Sequence, residues 1–297
     1  MFFSIGLADR ILNKGCIKLN KMEHKYQPIG IFDSGYGGLT IMKSIMEKLP
    51  QYDYIYLGDN ARTPYGSRSF DVVYEYTRQA VLKFFSMGCS LVVLACNTAS
   101  AKALRTIQQN DLPGFDPSRR VLGVIRPSVE MVPSITKTGH VGVLGTTGTV
   151  LSQSYPMEIA KIAGDQIIVT QVACPMWVPL VENDETCNPA ADYFVRKNIT
   201  ELFSKDAKID TVILGCTHYP LLLTTIKKFL PDNVTLLQQG PVVAESLADY
   251  LFRHPEMNEN CSKEGTRRFL TTESVENFEP RASMFLGCQL TAEKIRL

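Results

Sequence analysis

A chain of 297 residues with 45% hydrophobic content has enough apolar material for a sizeable core and length for one large or two medium domains. Its 31 lysines and arginines against 30 aspartates and glutamates leave a net charge of +1, so no polyanion-binding surface and no nucleic-acid partner is expected. No apolar run approaches the roughly 18 residues that would span a bilayer, so no membrane partner is expected.

Residues 1–27 begin with a short apolar stretch that Asp9 and Arg10 interrupt, which leaves no usable export signal. They read as a disordered N-terminal extension, and Met22 is itself a candidate initiator. From residue 29 onward, apolar runs bounded by glycine or polar residues alternate with stretches of helical period, the pattern of βαβ units and a mostly parallel sheet. Strands are expected at 29–33, 54–59, 91–96, 121–125, 140–146, 166–172, 211–216 and 234–239. Residues 39–49 place Leu39, Met42, Ile45, Met46 and Leu49 on one helical face, and 71–88 repeats that spacing before ending at Gly88. Beyond residue 253, "RHPEMNENCSKEGTRR" reads as a loop before a last strand, "FLTTES", in a peripheral tail without chemistry.

The chain also echoes itself: "IGIFDSGYGGLT" from Ile29 resembles "VGVLGTTGTVLS" from Val141, and the surroundings of Cys96 resemble those of Cys216. The expected fold is therefore α/β, with two pseudo-symmetric domains, each a mostly parallel sheet flanked by helices, and the active site between them. Residues 28–119 with 229–297 form the first domain and 120–228 the second. Ligands of open α/β sheets bind beyond the carboxyl ends of strands, where the repeated segments put their polar residues.

"DSGYGG", Asp33 to Gly38, follows one strand and precedes a helix. It reads either as an anion cradle or as a tight turn with Asp33 as a helix cap, and it matches neither GxGxxG nor a P-loop. "GDNARTPYG", 58–66, is a strand end followed by a turn, and "GTTGT", 145–149, offers hydroxyls at the matching place in the second half.

The eight cysteines lack a dense spacing pattern and any CxxC pair, so reduced thiols in a cytoplasmic protein are expected, with no structural metal. Cys89, Cys174 and Cys288 read as small inert hydrophobes. Cys96 and Cys216 each end a strand at the functional edge, just before an expected helix start whose partial positive charge favours a thiolate. His218 sits two residues past Cys216, placed for proton handling. A cysteine hydrolase needs one thiol with a histidine and an orienting partner. Inverting a stereocentre needs two: one thiolate takes a proton from one face of a carbon, and a thiol on the other side returns one. The carbanion between requires aimed hydrogen-bond donors.

"IFDSGYGGLT", "GDNARTPYG", "LACNTASA", "CPMWVPLVE" and "LGCTHYPLL", in this order, resemble the glutamate racemases of the cofactor-independent aspartate/glutamate racemase superfamily. The resemblance implies interconversion of L- and D-glutamate, D-glutamate for peptidoglycan, no metal or pyridoxal phosphate, and a homodimer. Cys96 would act on the α-proton of the D-enantiomer and Cys216 on that of the L-enantiomer, with Asp33 and His218 as polar partners of the thiols. Asp33, Ser34, Pro64, Tyr65, Gly66, Asn97, Thr98, Thr146, Thr149 and Thr217 match positions around the substrate, and Glu182 matches an acidic residue near the site. Tyr36 departs from a small aliphatic residue, "LLQQG" (236–240) lacks the aspartate expected after its strand, and the N-terminal extension has no counterpart. A racemase for aspartate or another amino acid, a non-catalytic binding or inhibitor protein, and a thiol hydrolase or redox protein are the competing readings. The halves are expected to move relative to each other on binding, since a closed pocket excludes water.

Overall fold

The computed structural model describes residues 27–297, so all but the last residue of the expected N-terminal extension, Cys16 included, lies outside the described residues. Among the described residues, ten strands form two all-parallel sheets. They are β1 (Ile29–Asp33), β2 (Tyr54–Gly58), β3 (Leu91–Leu94), β4 (Arg120–Gly123), β5 (His140–Gly145), β6 (Ile168–Ala173), β7 (Thr211–Gly215), β8 (Thr235–Leu237), β9 (Arg267–Thr271) and β10 (Ala292–Lys294). The six-stranded sheet runs β10-β9-β2-β1-β3-β4 and the four-stranded sheet β6-β5-β7-β8.

The internal echo has a structural counterpart. In each sheet the first strand of its half lies between the second and third, with the fourth beyond the third: β2-β1-β3-β4 against β6-β5-β7-β8. Helices on both faces explain why β1, β2, β3 and β7 are buried along their whole length and read as continuous apolar runs. Burying each such Val, Leu, Ile or Phe side chain contributes about 1.5–3 kcal/mol.

Helices Gly38–Lys48 and Phe70–Ser86 stand where periodicity puts them. Ser69 caps the second, its hydroxyl accepting the Val72 N–H, and Gly88 beyond its end has a φ of +93°.

Three expectations need correction. β4, placed by sequence in the second half, pairs with β3, and β8, placed in the first, pairs with β7. The chain therefore crosses between sheets after Gly123 and after Leu237, because an apolar run specifies a strand but not its neighbour. Cys288 is exposed rather than a core hydrophobe, whereas Cys89 and Cys174 are fully buried. The tail is not merely peripheral. Phe278 and Phe285, on helix Val275–Leu286, both stack against the Tyr36 ring, with centroids at 5.5 and 5.8 Å.

Among the described residues no helix is long and apolar enough to cross a membrane.

Candidate functional site: two thiols at one cavity

β3 and β7 are the equivalent strands of their sheets, and each delivers a cysteine at its carboxyl end. Cys96 is the N-cap of helix Asn97–Lys102; its sulfur accepts the Ala99 N–H at 3.4 Å and donates to Ser34 Oγ at 3.5 Å. Cys216 differs from expectation, since the turn after it is 3₁₀ and starts only at Tyr219. Its partner is a side chain instead: Sγ lies 3.9 Å from His218 Nδ1. Both cysteines are only 6% exposed and line one cavity of about 220 Å³.

Most residues expected around the site line that cavity. Ser34 comes from the loop after β1, and Pro64, Tyr65 and Gly66 from the turn after β2. Asn97 and Thr98 open the helix after Cys96, while Thr146, Glu182, Thr217 and His218 come from the second half. Asp33 and Thr149 stand behind the wall. Asp33 is 1% exposed, with one carboxyl oxygen accepting the Gly35 N–H at 2.9 Å and the other 3.5 Å from Thr217 Oγ1. It does not cap the following helix, whose N-cap is Gly37. Thr149 Oγ1 lies 3.0 Å from Thr146 Oγ1, which is 3.0 Å from Thr98 Oγ1, so a hydroxyl chain joins the two halves at the cavity edge. Gly66 adds a main-chain link by accepting the Gly148 N–H at 2.7 Å.

The surroundings of the thiols are unlike each other. Burial, reinforced by the nearby Asp33, pushes the Cys96 thiol up to about 12, despite the opposing effect of its hydrogen bonds with Ser34 and Ala99. Burial likewise raises Asp33 above the usual carboxylate value, against the opposing charge of His218. For His218, burial alone would favour the neutral ring; the hydrogen bonds and charges of Cys216 and Glu182 outweigh it and hold the imidazole at about 10. Glu182 Oε1 is 3.0 Å from His218 Nε2, which gives Glu182 a definite place in a Cys216–His218–Glu182 row. A protonated ring in that row is a counter-charge for negative charge developing on the Cys216 sulfur. Phe285 meets the His218 ring edge-on at 5.2 Å.

Gly37, in the first half, packs tightly against the second half at the site. A Cβ there would fall 2.3 Å from Thr217 Oγ1 and 2.5 Å from His218 Nδ1, so only a hydrogen fits.

Sequence reasoning did not single out Asp59. Fully buried, it accepts from Arg62 Nε at 2.7 Å, from Thr272 Oγ1 at 2.9 Å and from the Tyr65 hydroxyl, and so fixes the turn that forms one wall. An acidic residue directly after a buried strand was the available signal. Cys174, expected to be inert core, also lines the cavity.

A larger cavity of about 780 Å³ contains neither thiol nor any other expected site residue, so size does not mark the chemistry here. Among the described residues no group of three or more His, Cys, Asp and Glu side chains is placed to hold a metal ion.

Residues 29–247, which carry both thiols and all the expected site residues, match the Asp/Glu/Hydantoin racemase family. The chain belongs to this racemase family. A glutamate racemase of Shouchella clausii is 40% identical over 262 residues, spanning 88% of this chain and 91% of the relative. A crystal structure of a Bacillus anthracis glutamate racemase isoform matches with a TM-score of 0.83 at 36% identity, over 92% of this chain and 99% of that one. A Francisella tularensis glutamate racemase solved in complex with D-glutamate matches with a TM-score of 0.81 at 30% identity, over 91% of this chain and 97% of that one. In this family member the two-domain α/β fold inferred from the sequence is thus shared with glutamate racemases.

Proposed function

We propose that this chain interconverts L- and D-glutamate without a cofactor, by proton transfer between two cysteines on opposite sides of the substrate. The observation that carries the reading is that equivalent strands of two pseudo-symmetric sheets bring Cys96 and Cys216 to the wall of one small cavity. Its volume is below the ~300–1,000 Å³ common for ligand pockets and suits a single amino acid.

In the L-to-D direction, the Cys216 thiolate takes the α-proton, and its bonding electrons remain on Cα as a planar carbanion. The Cys96 thiol then gives its proton to the opposite face. Cys96 is suited to that role because burial keeps its proton in place. The protonated His218, held by Glu182, is the counter-charge that sustains a thiolate at Cys216. Ser34, Asn97, Thr98, Thr146 and Thr217 supply hydrogen-bonding groups for the substrate's carboxylates and ammonium, and Thr149 orders Thr146 from behind. Asp33 lies behind Ser34 and Thr217 and adjusts the charge felt by Cys96. After one turnover the two sulfurs have exchanged protonation states, and the next turnover in the same direction requires Cys96 to regain a proton and Cys216 to lose one. The reading extends, through the similarity to glutamate racemases, to D-glutamate supply for peptidoglycan, a cytoplasmic location and a homodimer.

Incubation with L-glutamate in D₂O, without added cofactor, tests it. Optical rotation is expected to decay while deuterium enters at Cα of the D-product. Cys96→Ala and Cys216→Ala are each expected to abolish net racemisation. Activity surviving in either variant contradicts the two-base reading, and inertness toward glutamate with turnover of aspartate reassigns the substrate.

A further inference from the structure

The departure in "LLQQG" sits at the junction of the two halves. Gln239 is the first residue of helix Gln239–Arg253, immediately after the chain has left the four-stranded sheet. Its side chain is buried at 3% exposure and fully engaged. The amide nitrogen, whose two hydrogens are shared among three acceptors, lies 3.0 Å from the Tyr155 hydroxyl, 2.9 Å from Ser128 Oγ and 3.2 Å from the Val124 carbonyl oxygen. Val124 lies one residue beyond β4, on the other segment that crosses between the sheets. One side chain therefore ties the two crossing segments together.

The amide oxygen is turned toward Asn97, a residue of the cavity wall. It accepts from Asn97 Nδ2 at 2.6 Å, and Asn97 Oδ1 in turn accepts from the Tyr155 hydroxyl at 2.8 Å. The result is a closed ring, Asn97 to Gln239 to Tyr155 and back to Asn97, in which each group donates once and accepts once around the cycle. Asn97 belongs to the first half and adjoins Cys96; Tyr155 belongs to the second half, on helix Ser154–Ala163; Gln239 belongs to the junction. All three are essentially buried, where such bonds reinforce one another and a broken member is costly. The ring also fixes which way the Asn97 amide points, because a flipped amide would set its nitrogen against a hydroxyl hydrogen and its oxygen against the Gln239 oxygen.

We propose that Gln239 is a positioning residue that clasps the two crossing segments and presents the Asn97 amide to the cavity in one orientation, so that the relative placement of the halves and substrate binding depend on the same ring. The inference rests on the cavity being a racemisation site.

Kinetics of Gln239→Met, Tyr155→Phe and the double variant test this, with Tyr155→Phe keeping the ring volume while removing one member of the cycle. KM for L-glutamate is expected to rise about tenfold in each single variant, the scale of one buried hydrogen bond, with kcat changing much less. The double variant is expected to be hardly worse than either single one, since the cycle is already open. Unchanged KM, or fully additive effects, overturns the proposal. Amide hydrogen exchange gives an independent readout in the native protein and Gln239→Met: faster exchange at both 96–103 and 124–130 supports the clasp, and unchanged exchange refutes it. Should the native protein turn over no amino acid, the racemase reading fails while the exchange experiment still judges the clasp.

Discussion

Replacing Glu182 with glutamine leaves an oxygen opposite His218 Nε2 and removes only the charge. In the native site the imidazole is held at about 10, burial opposing the proton and the contacts with Cys216 and Glu182 favouring it. A hydrogen bond to a charged group is worth ~1.5–3 kcal/mol against ~0.5–1.5 kcal/mol for a neutral one. The difference, ~1–2 kcal/mol, corresponds to about one pKa unit at 1.36 kcal/mol per unit. His218 in Glu182→Gln is therefore expected to titrate roughly one unit lower. Nitrogen-15 histidine NMR reads this directly, since the chain has four histidines and His218→Asn identifies the relevant signal. In the proposed mechanism the imidazolium is the counter-charge for Cys216, so the basic limb of the kcat profile should move down by the same amount and the acid limb should stay. The folded pKa lies above the ordinary 6.5, so this group's stabilisation is complete below that value and is lost as pH rises through about 10. The variant should lose it sooner. An unchanged His218 midpoint would refute the claim that the Glu182 charge holds the proton.

Gly37→Ala tests the close approach of the halves: with a φ of −58° the backbone accepts alanine, so the cost is purely the collision with Thr217 and His218. Overpacking of this kind costs ~1–3 kcal/mol, and kcat/KM should fall at least tenfold through displacement of His218, whereas normal activity would show that the loop yields freely. Alkaline stability should reflect the buried thiols. Burial raises Cys89 and Cys96 to about 12 and Cys261 to about 11. Their neutral forms favour the fold below about pH 9, and the benefit is lost as pH rises toward 11–12. Melting temperature should fall across that window, and Cys89→Ala, remote from the cavity, should flatten the decline; an identical slope would contradict the assignment.

Much of this arrangement was legible in the sequence because strand ends are chemically abrupt. "LVVLAC" and "TVILGC" change from apolar to hydrogen-bonding within one residue, which located both thiols and His218. β10 escaped because Ala292–Lys294 is a short edge strand with two exposed charged residues and no apolar run. The membership of β4 and β8 was not legible, since strand pairing depends on residues far apart in sequence. The same holds for Gln239, whose partners lie between 84 and 142 positions away. Cys216 was placed correctly beside His218 but credited to a helix start, because the 3₁₀ turn at Tyr219 has no distinct sequence mark.

The unlike surroundings of the two sulfurs carry a thermodynamic consequence for a racemase. Enantiomers have equal free energy in water, so the equilibrium constant is one, and the ratio of kcat to KM must be identical in both directions whatever the protein does. A tightly held proton at Cys96 and a histidine beside Cys216 therefore cannot make the reaction favour one product. They can only divide the same efficiency differently between saturation and turnover, so that the two enantiomers differ in KM and kcat in compensating proportion. Net flux toward one hand is then set by whichever reaction drains that enantiomer, and the asymmetry of the site determines how full the enzyme is while it waits.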